Sequence, residues 1–284
     1  MIRLNKISDK SYELTGHLIF LILILFAVYF YKERVLYVDS SYALFKIIYY
    51  KTLVSEAGRY SATLPQILPI AGIGMHLPLK WVVLLYSVSF VILYYLIFLI
   101  ILYILKNPKI ALSLPVILTI SIKYSYYWIA TETHQSLAYI VLFIAFLYYF
   151  KNNVLKRTEL LKFVIGGSCI LCVAFFCHPT VFFSGLFLSG FYIIDFKYYK
   201  KLFIYIFPVL LAVLTILKLK LISSGSYEDR FISCFFDSIS AHFHFKQSYG
   251  YVFFIKNWKQ LYLLVILIGI ITAGYYIKKR DYIY

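Results

Sequence analysis

Residues 81–105 read WVVLLYSVSFVILYYLIFLIILYIL and contain no Asp, Glu, Lys or Arg. A run of this kind has one comfortable fate. About 20 apolar residues in a helix cross the ~30 Å hydrocarbon layer of a bilayer. Backbone at that depth must satisfy its own hydrogen bonds, so the run is a helix. Seven further apolar runs occur, at 14–31, 110–129, 136–150, 163–177, 180–194, 202–222 and 261–277. The chain is 63% hydrophobic and 14% charged. A soluble domain is nearer ~45–50% apolar and ~25% charged and could not hide this much apolar surface. The expected fold is therefore an all-α polytopic transmembrane helical bundle of about eight spans, one transmembrane domain over residues 1–284. The first run is too long for a signal peptide and lacks its small-residue cleavage site, which predicts a retained span.

The formal net charge is +16. In a soluble protein that would suggest nucleic acid. In this chain it assigns Lys and Arg to a cytoplasmic face in contact with anionic lipids, and no nucleic-acid partner is expected. With the N-terminus inside, the inner segments hold Arg3, Lys6 and Lys10, then Lys106 and Lys109, Lys151 to Lys162, Lys197 to Lys201, and Lys278 to Arg280. These are 15 of the 28 cationic residues. The short outer turns TETHQ (131–135) and CHPT (177–180) hold none. Both termini are thus expected in the cytoplasm. Two long outer loops remain, 32–80 and 223–260. In the first, residues 41–54 read as an amphipathic helix lying in the interface, with Ser40 as N-cap and Gly58 beyond its end. LPQILPIAGIGMHLP behind it reads as a re-entrant or surface-lying segment.

The polar residues are distributed unevenly. Of six histidines only His17 falls toward the inner side; His76, His134, His178, His242 and His244 fall outside. Asp39, in YVDSSY, follows the first span, and Glu132 and His134 open the fourth. An ionisable group near membrane depth is a functional candidate. The blander alternative is a polar residue that ends each helix at the interface. Lys123, Lys218 and Lys220 stand near outer span ends, where they either snorkel or cradle a lipid phosphate. In GSYEDRF (225–231), Glu228 and Asp229 adjoin Arg230. A divalent metal at Glu228 and Asp229 is a weak candidate because adjacent acids point apart. His242 and His244 would share one face of a strand, another weak metal signal. Cys169 and Cys172 form C-x-x-C inside an apolar run and are expected to pack on one helix face. Cys177 and Cys234 receive no pairing.

This layout resembles the multi-spanning type C glycosyltransferases, which use polyprenyl-phosphate-linked sugars and include the protein O-mannosyltransferases and the lipid A aminoarabinose transferases. The carrying residues are YVDSSY after the first span, the amphipathic 41–54, GRYSATLPQILP, and the turns TETHQS and CHPT. By position Asp39 matches the family's catalytic acid. The resemblance implies transfer of a sugar from a polyprenyl-phosphate donor to an envelope glycan, lipid or protein on the outer face of the plasma (inner) membrane. Asp39 would be the general base. Arg59, Lys218, Lys220 and Arg230 would face the leaving phosphate, and Glu132, His134 and His178 would orient donor or acceptor. The sequence departs from the family in two ways: Asp39 has no second acid beside it, and many members carry more spans and a C-terminal soluble domain, so that a chain ending at KKRDYIY is expected to be a minimal, truncated or inactive relative.

Three other classes stay open. An envelope polysaccharide polymerase or flippase-like protein would lean on Arg and His rather than an acid. A transporter would place polar groups near the midplane on broken helices, whereas these span centres carry almost no charge. A non-catalytic membrane component would need none of this chemistry.

Overall fold

In a computed structural model of the chain, the described residues are 8–36, 38–120, 126, 127, 129, 131–150, 157–195 and 202–221, with isolated helical positions between 252 and 274. Among them every regular element is helical. Five helices are long and apolar enough to cross a membrane: Asp9–Tyr29, Leu79–Ile104, Glu132–Phe150, Thr158–Cys177 and Phe203–Lys220. Each coincides with an expected span. Pro108–Thr119 and Val181–Ile194 are shorter apolar helices. The 15 residues of Val181–Asp195 extend about 22 Å, less than the ~30 Å of hydrocarbon. The run at 110–129 is broken into Pro108–Ala111 and Ser113–Ile120, with Pro115, which lacks a backbone donor, inside the second piece. The expected span at 261–277 and the loop at 223–260 lie outside the described residues apart from those isolated positions.

Two compact units divide the chain, one of Met1–Ile120 and Tyr124–Leu217, the other of Ser121–Lys123 and Lys218–Tyr284. The first begins with α1 (Asp9–Tyr29), capped by the Ser8 side chain. α2 (Tyr31–Val35), α3 (Val38–Tyr50) and α4 (Ile67–Gly74) follow, then α5 (Leu79–Leu99), which ends in a π turn at Ile100–Ile104. α6 (Pro108–Ala111) and α7 (Ser113–Ile120) lead to α8 (Glu132–Phe150) and α9 (Arg157–Cys177), then α10 (Val181–Asp195) and α11 (Ile206–Leu221).

Small residues set the helix separations. A Cβ on Gly16 of α1 would come within 2.4 Å of the Phe98 ring of α5. On Gly167 of α9 it would meet Phe207 at 2.6 Å and Phe146 at 3.3 Å. Helices therefore approach until rings lie on bare backbone, and Phe143, Phe146, Phe163 and Phe207 form one aromatic cluster.

The contacts also give the sense of each helix. Ser87 near the start of α5 donates to the Ala27 carbonyl near the end of α1, so these two run antiparallel. Cys177, the last residue of α9, donates to the Glu132 carbonyl at the start of α8, so these two do as well. The exit of α1, the entries of α5, α8 and α10 and the exit of α9 thus share one end of the unit. His17 and Tyr103 mark the other end.

Three local expectations are corrected. The helix in the first loop is Val38–Tyr50 rather than 41–54. Ser40 is not its N-cap but a buried residue within it, because Ser40, Leu44 and Ile47 recur at helical spacing and turn inward together. The helix stops at Lys51, whose φ is 53°, well before Gly58. TETHQ is not an outer turn; Glu132 to Gln135 are the first turn of α8. Cys169 and Cys172, three residues apart on α9, share one helix face as expected, with Cys169 exposed and Cys172 half-buried.

The exposed side of α3 carries Tyr42, Phe45 and Tyr49, the aromatic face suited to a membrane interface. The Pro-rich segment behind it is a 3-10 turn, Tyr60–Gln66, leading into the eight residues of α4. These span about 12 Å and cannot cross a bilayer.

Candidate functional site

Arg34 lies one and a half turns past the end of α1 and is fully buried, with 0% of its surface exposed. Its Nε donates to the Tyr126 carbonyl at 3.1 Å and its Nη1 to the Ser87 carbonyl at 3.0 Å. The guanidinium sits 4.2 Å from the Tyr126 ring centroid, a cation–π contact. Nη2 is buried with no partner among the described residues. Burial pushes the Arg34 pKa down to about 10, with the Tyr126 contacts acting in the opposite direction. It still carries its charge at neutral pH. A buried charge with carbonyl but no carboxylate partners is expensive. Arg34 ties α2 to α5, and Asp39 follows in the first turn of α3.

Asp39 is exposed in the first turn of α3. Arg34 and Lys46, cations on either side of it in the sequence, are both engaged elsewhere. Lys46 Nζ pairs with Glu56 at 2.6 Å, and that hydrogen bond raises the Lys46 pKa. No hydrogen bond or ion pair joins Asp39 to Arg59, Glu132 or His134 among the described residues.

Arg59 and Glu132 are brought together. Arg59 precedes the 3-10 turn of the first loop, and its Nη1 lies 3.3 Å from the Glu132 carboxylate. The side chains are 18% and 29% exposed. Arg59 Nε is buried without a partner among the described residues. In the same first turn of α8, His134 is 3% exposed. Its Nδ1 meets the Thr131 hydroxyl at 2.9 Å, and its Nε2 has no partner among the described residues. Tyr94 donates to the His134 carbonyl. Gln135 donates to the Ser61 carbonyl at 2.8 Å, a second bond between first loop and α8. Cys177 is buried beneath, within electrostatic range of Glu132 and Arg59. An anionic or hydroxyl-bearing group entering here meets a free donor at Arg59 and a donor or acceptor at His134.

His178 occupies the α9–α10 turn. Its Nδ1 accepts the Thr180 backbone N–H at 3.3 Å and meets the Thr180 hydroxyl at 2.7 Å. A backbone N–H can only donate, so the neutral ring carries its proton on Nε2. Lys218 and Lys220 stand in the last turn of α11, half-buried and exposed respectively, in the second unit. Lys123, Arg230, Glu228, Asp229, His242 and His244 lie outside the described residues. Among the described residues no three His, Cys, Asp or Glu side chains group to hold a metal.

Sequence reasoning missed Arg34, Gln135 and Cys177 as parts of this end. Arg34 had a signal. Phe20, Leu23 and Ala27 are buried at helical spacing, and seven residues past Ala27 is Arg34, on the same inward stripe. No protein-family model, curated protein or solved structure matches the chain.

Proposed function

We propose that this chain is a membrane glycosyltransferase that moves a sugar from a polyprenyl-phosphate donor to an envelope glycan, lipid or protein acceptor. The reaction would take place at the Asp39 end, facing outward from the plasma membrane. The observation that carries this reading is Asp39 itself: an exposed carboxylate, while Arg34 and Lys46 on either side of it in the sequence are bound elsewhere. It stands on a helix whose outer face is aromatic.

In the reaction an acceptor hydroxyl approaches within about 2.6–3.2 Å of the Asp39 carboxylate. Its oxygen attacks the anomeric carbon, its proton passes to Asp39, and the bond from that carbon to the phosphate oxygen breaks. The electron pair leaves with the polyprenyl phosphate. Arg59, with its unfilled Nε donor, is the cation at this end suited to that developing charge. His134 and Glu132 orient the sugar or the acceptor.

The test is transfer of labelled sugar from a polyprenyl-phosphate donor by purified protein. Asn keeps the shape of Asp39 and removes its basicity. General acid–base catalysis contributes roughly 10²–10⁴-fold, so Asp39→Asn lowers turnover by that much while expression and donor binding hold. Near wild-type turnover in the variant contradicts the reading.

A further inference from the structure

Thr131, His134, Gln135 and Ser136 are all buried, although they open a span at the end of the bundle where polar residues normally meet water. Part of their cover comes from the first loop. Ser61 accepts from Gln135, Arg59 pairs with Glu132, and the Tyr60 ring lies 6.2 Å from that of Phe176, beside Cys177. The covering segment is bounded and interrupted by left-handed backbone. Lys51 has φ 53°, Ala57 52° and Gly58 67°. Such angles are uncommon outside glycine and disfavoured by Cβ sterics, so they mark places where the chain turns under constraint. Within the segment, Val54 exchanges two hydrogen bonds with the Gln66 side chain and Glu56 pairs with Lys46. Among the described residues its polar ties to α8 are one partly buried ion pair and one neutral hydrogen bond. A pair that keeps some contact with water is still weakened by salt.

We propose that residues 51–62 form a strap that lifts from the start of α8 and the end of α9, and that the Arg59–Glu132 pair is its latch. With the latch closed, His134 and Cys177 are shut away, and the unfilled nitrogens of Arg59 and His134 await a ligand. When it opens, Arg59 leaves Glu132 and the cluster meets water. The strap's role as a substrate entrance rests on the glycosyl-transfer reading above. Its movement does not, because thiol exposure reports the movement without any turnover.

Cys177 is the built-in reporter, 0% exposed in the latched state. The experiment uses the full chain in nanodiscs with Cys169, Cys172 and Cys234 changed to Ser, and follows the rate of maleimide modification of Cys177. Glu132→Gln, which keeps the shape and removes the charge, raises that rate at least ~10-fold, as expected when a charge-assisted contact is lost. Arg59→Lys, which keeps the charge, stays nearer wild type. Moving to 1 M salt speeds labelling of the parent and leaves Glu132→Gln unchanged. A control thiol at Ala145, buried in mid-α8 and carried in a Cys177→Ser background, separates latch from general loosening. It stays unreactive in both the parent and Glu132→Gln. Equal Cys177 rates in parent and Glu132→Gln overturn the latch. A rise at the Ala145 thiol matching that at Cys177 overturns it as well, because the whole bundle would then be loosening.

Discussion

The two ends of the first unit handle polar groups in opposite ways. At the His17 end the hydrogen bonds close on themselves. Tyr103 donates to Glu13 at 2.9 Å, so its oxygen is free to accept from His17 Nε2 at 3.0 Å. His17 Nδ1 meets Tyr95 at 2.9 Å. Both ring nitrogens are filled, and the π turn at Ile100–Ile104 carries Tyr103. At the Asp39 end the bonds are left open. Arg34 Nη2, Arg59 Nε and His134 Nε2 are buried without partners among the described residues. Buried polar atoms are satisfied in the great majority of cases, so three unfilled nitrogens at one end need an explanation. A closed network stabilises a joint between helices. An open one is a place where something else completes the bonds. The contrast assigns the two histidines, His17 and His134, to different jobs, although both sit near the ends of apolar helices.

Arg34 gives the largest structural effect that can break this contrast. Arg34→Ala leaves a void and orphans the Tyr126 carbonyl, and is expected to lower unfolding stability by about 3 kcal/mol. Arg34→Met keeps most of the volume and removes a charge that has no counter-ion among the described residues. It leaves the Tyr126 carbonyl bare, as Arg34→Ala does, but opens no comparable void, and is expected to cost about 1 kcal/mol. Denaturation of both variants in mixed micelles checks this. A Met variant as damaged as the Ala variant would make Arg34 a stabilising anchor and close one of the three open sites. The smaller effect lies at the other end. Tyr103→Phe removes the hydroxyl that bridges Glu13 and His17, two neutral or charge-assisted bonds at an exposed position. It is expected to cost about 1 kcal/mol in the same assay. No change at all would show that the closed network contributes nothing to the α1–α5 joint.

The long spans were legible because hydrophobic length leaves little choice. Residues 81–105 and 14–31 could only be helices, and both are. The amphipathic stretch after Asp39 was legible for a related reason, since its apolar residues keep helical spacing. Its boundaries were not. Ser40 looked like a cap from its type, yet its place beside Leu44 and Ile47 on the inward stripe buried it. TETHQ looked like a turn because polar residues usually close helices. It opens one instead, since tertiary partners from the first loop, Arg59 and Ser61, satisfy Glu132 and Gln135. The joining of Arg59 to Glu132 could not be read from the chain, because it spans more than seventy residues and depends on how α8 and α9 approach. That approach is set by Gly166 and Gly167 lying against Phe146, a packing detail with no periodic signature.

The contrast between the ends comes to one paired measurement. His134→Gln and His17→Gln each replace an imidazole by an amide near the end of an apolar helix. Transfer of labelled sugar from a polyprenyl-phosphate donor is measured for both, alongside unfolding stability. His134→Gln is expected to lose at least ~10-fold in turnover, at the low end for a group positioned at the reacting centre, with stability nearly unchanged. His17→Gln is expected to keep turnover within about twofold and to lose about 1 kcal/mol of stability. Full turnover in His134→Gln together with its collapse in His17→Gln would contradict the account, placing the working site at the end where every ring nitrogen is already bonded.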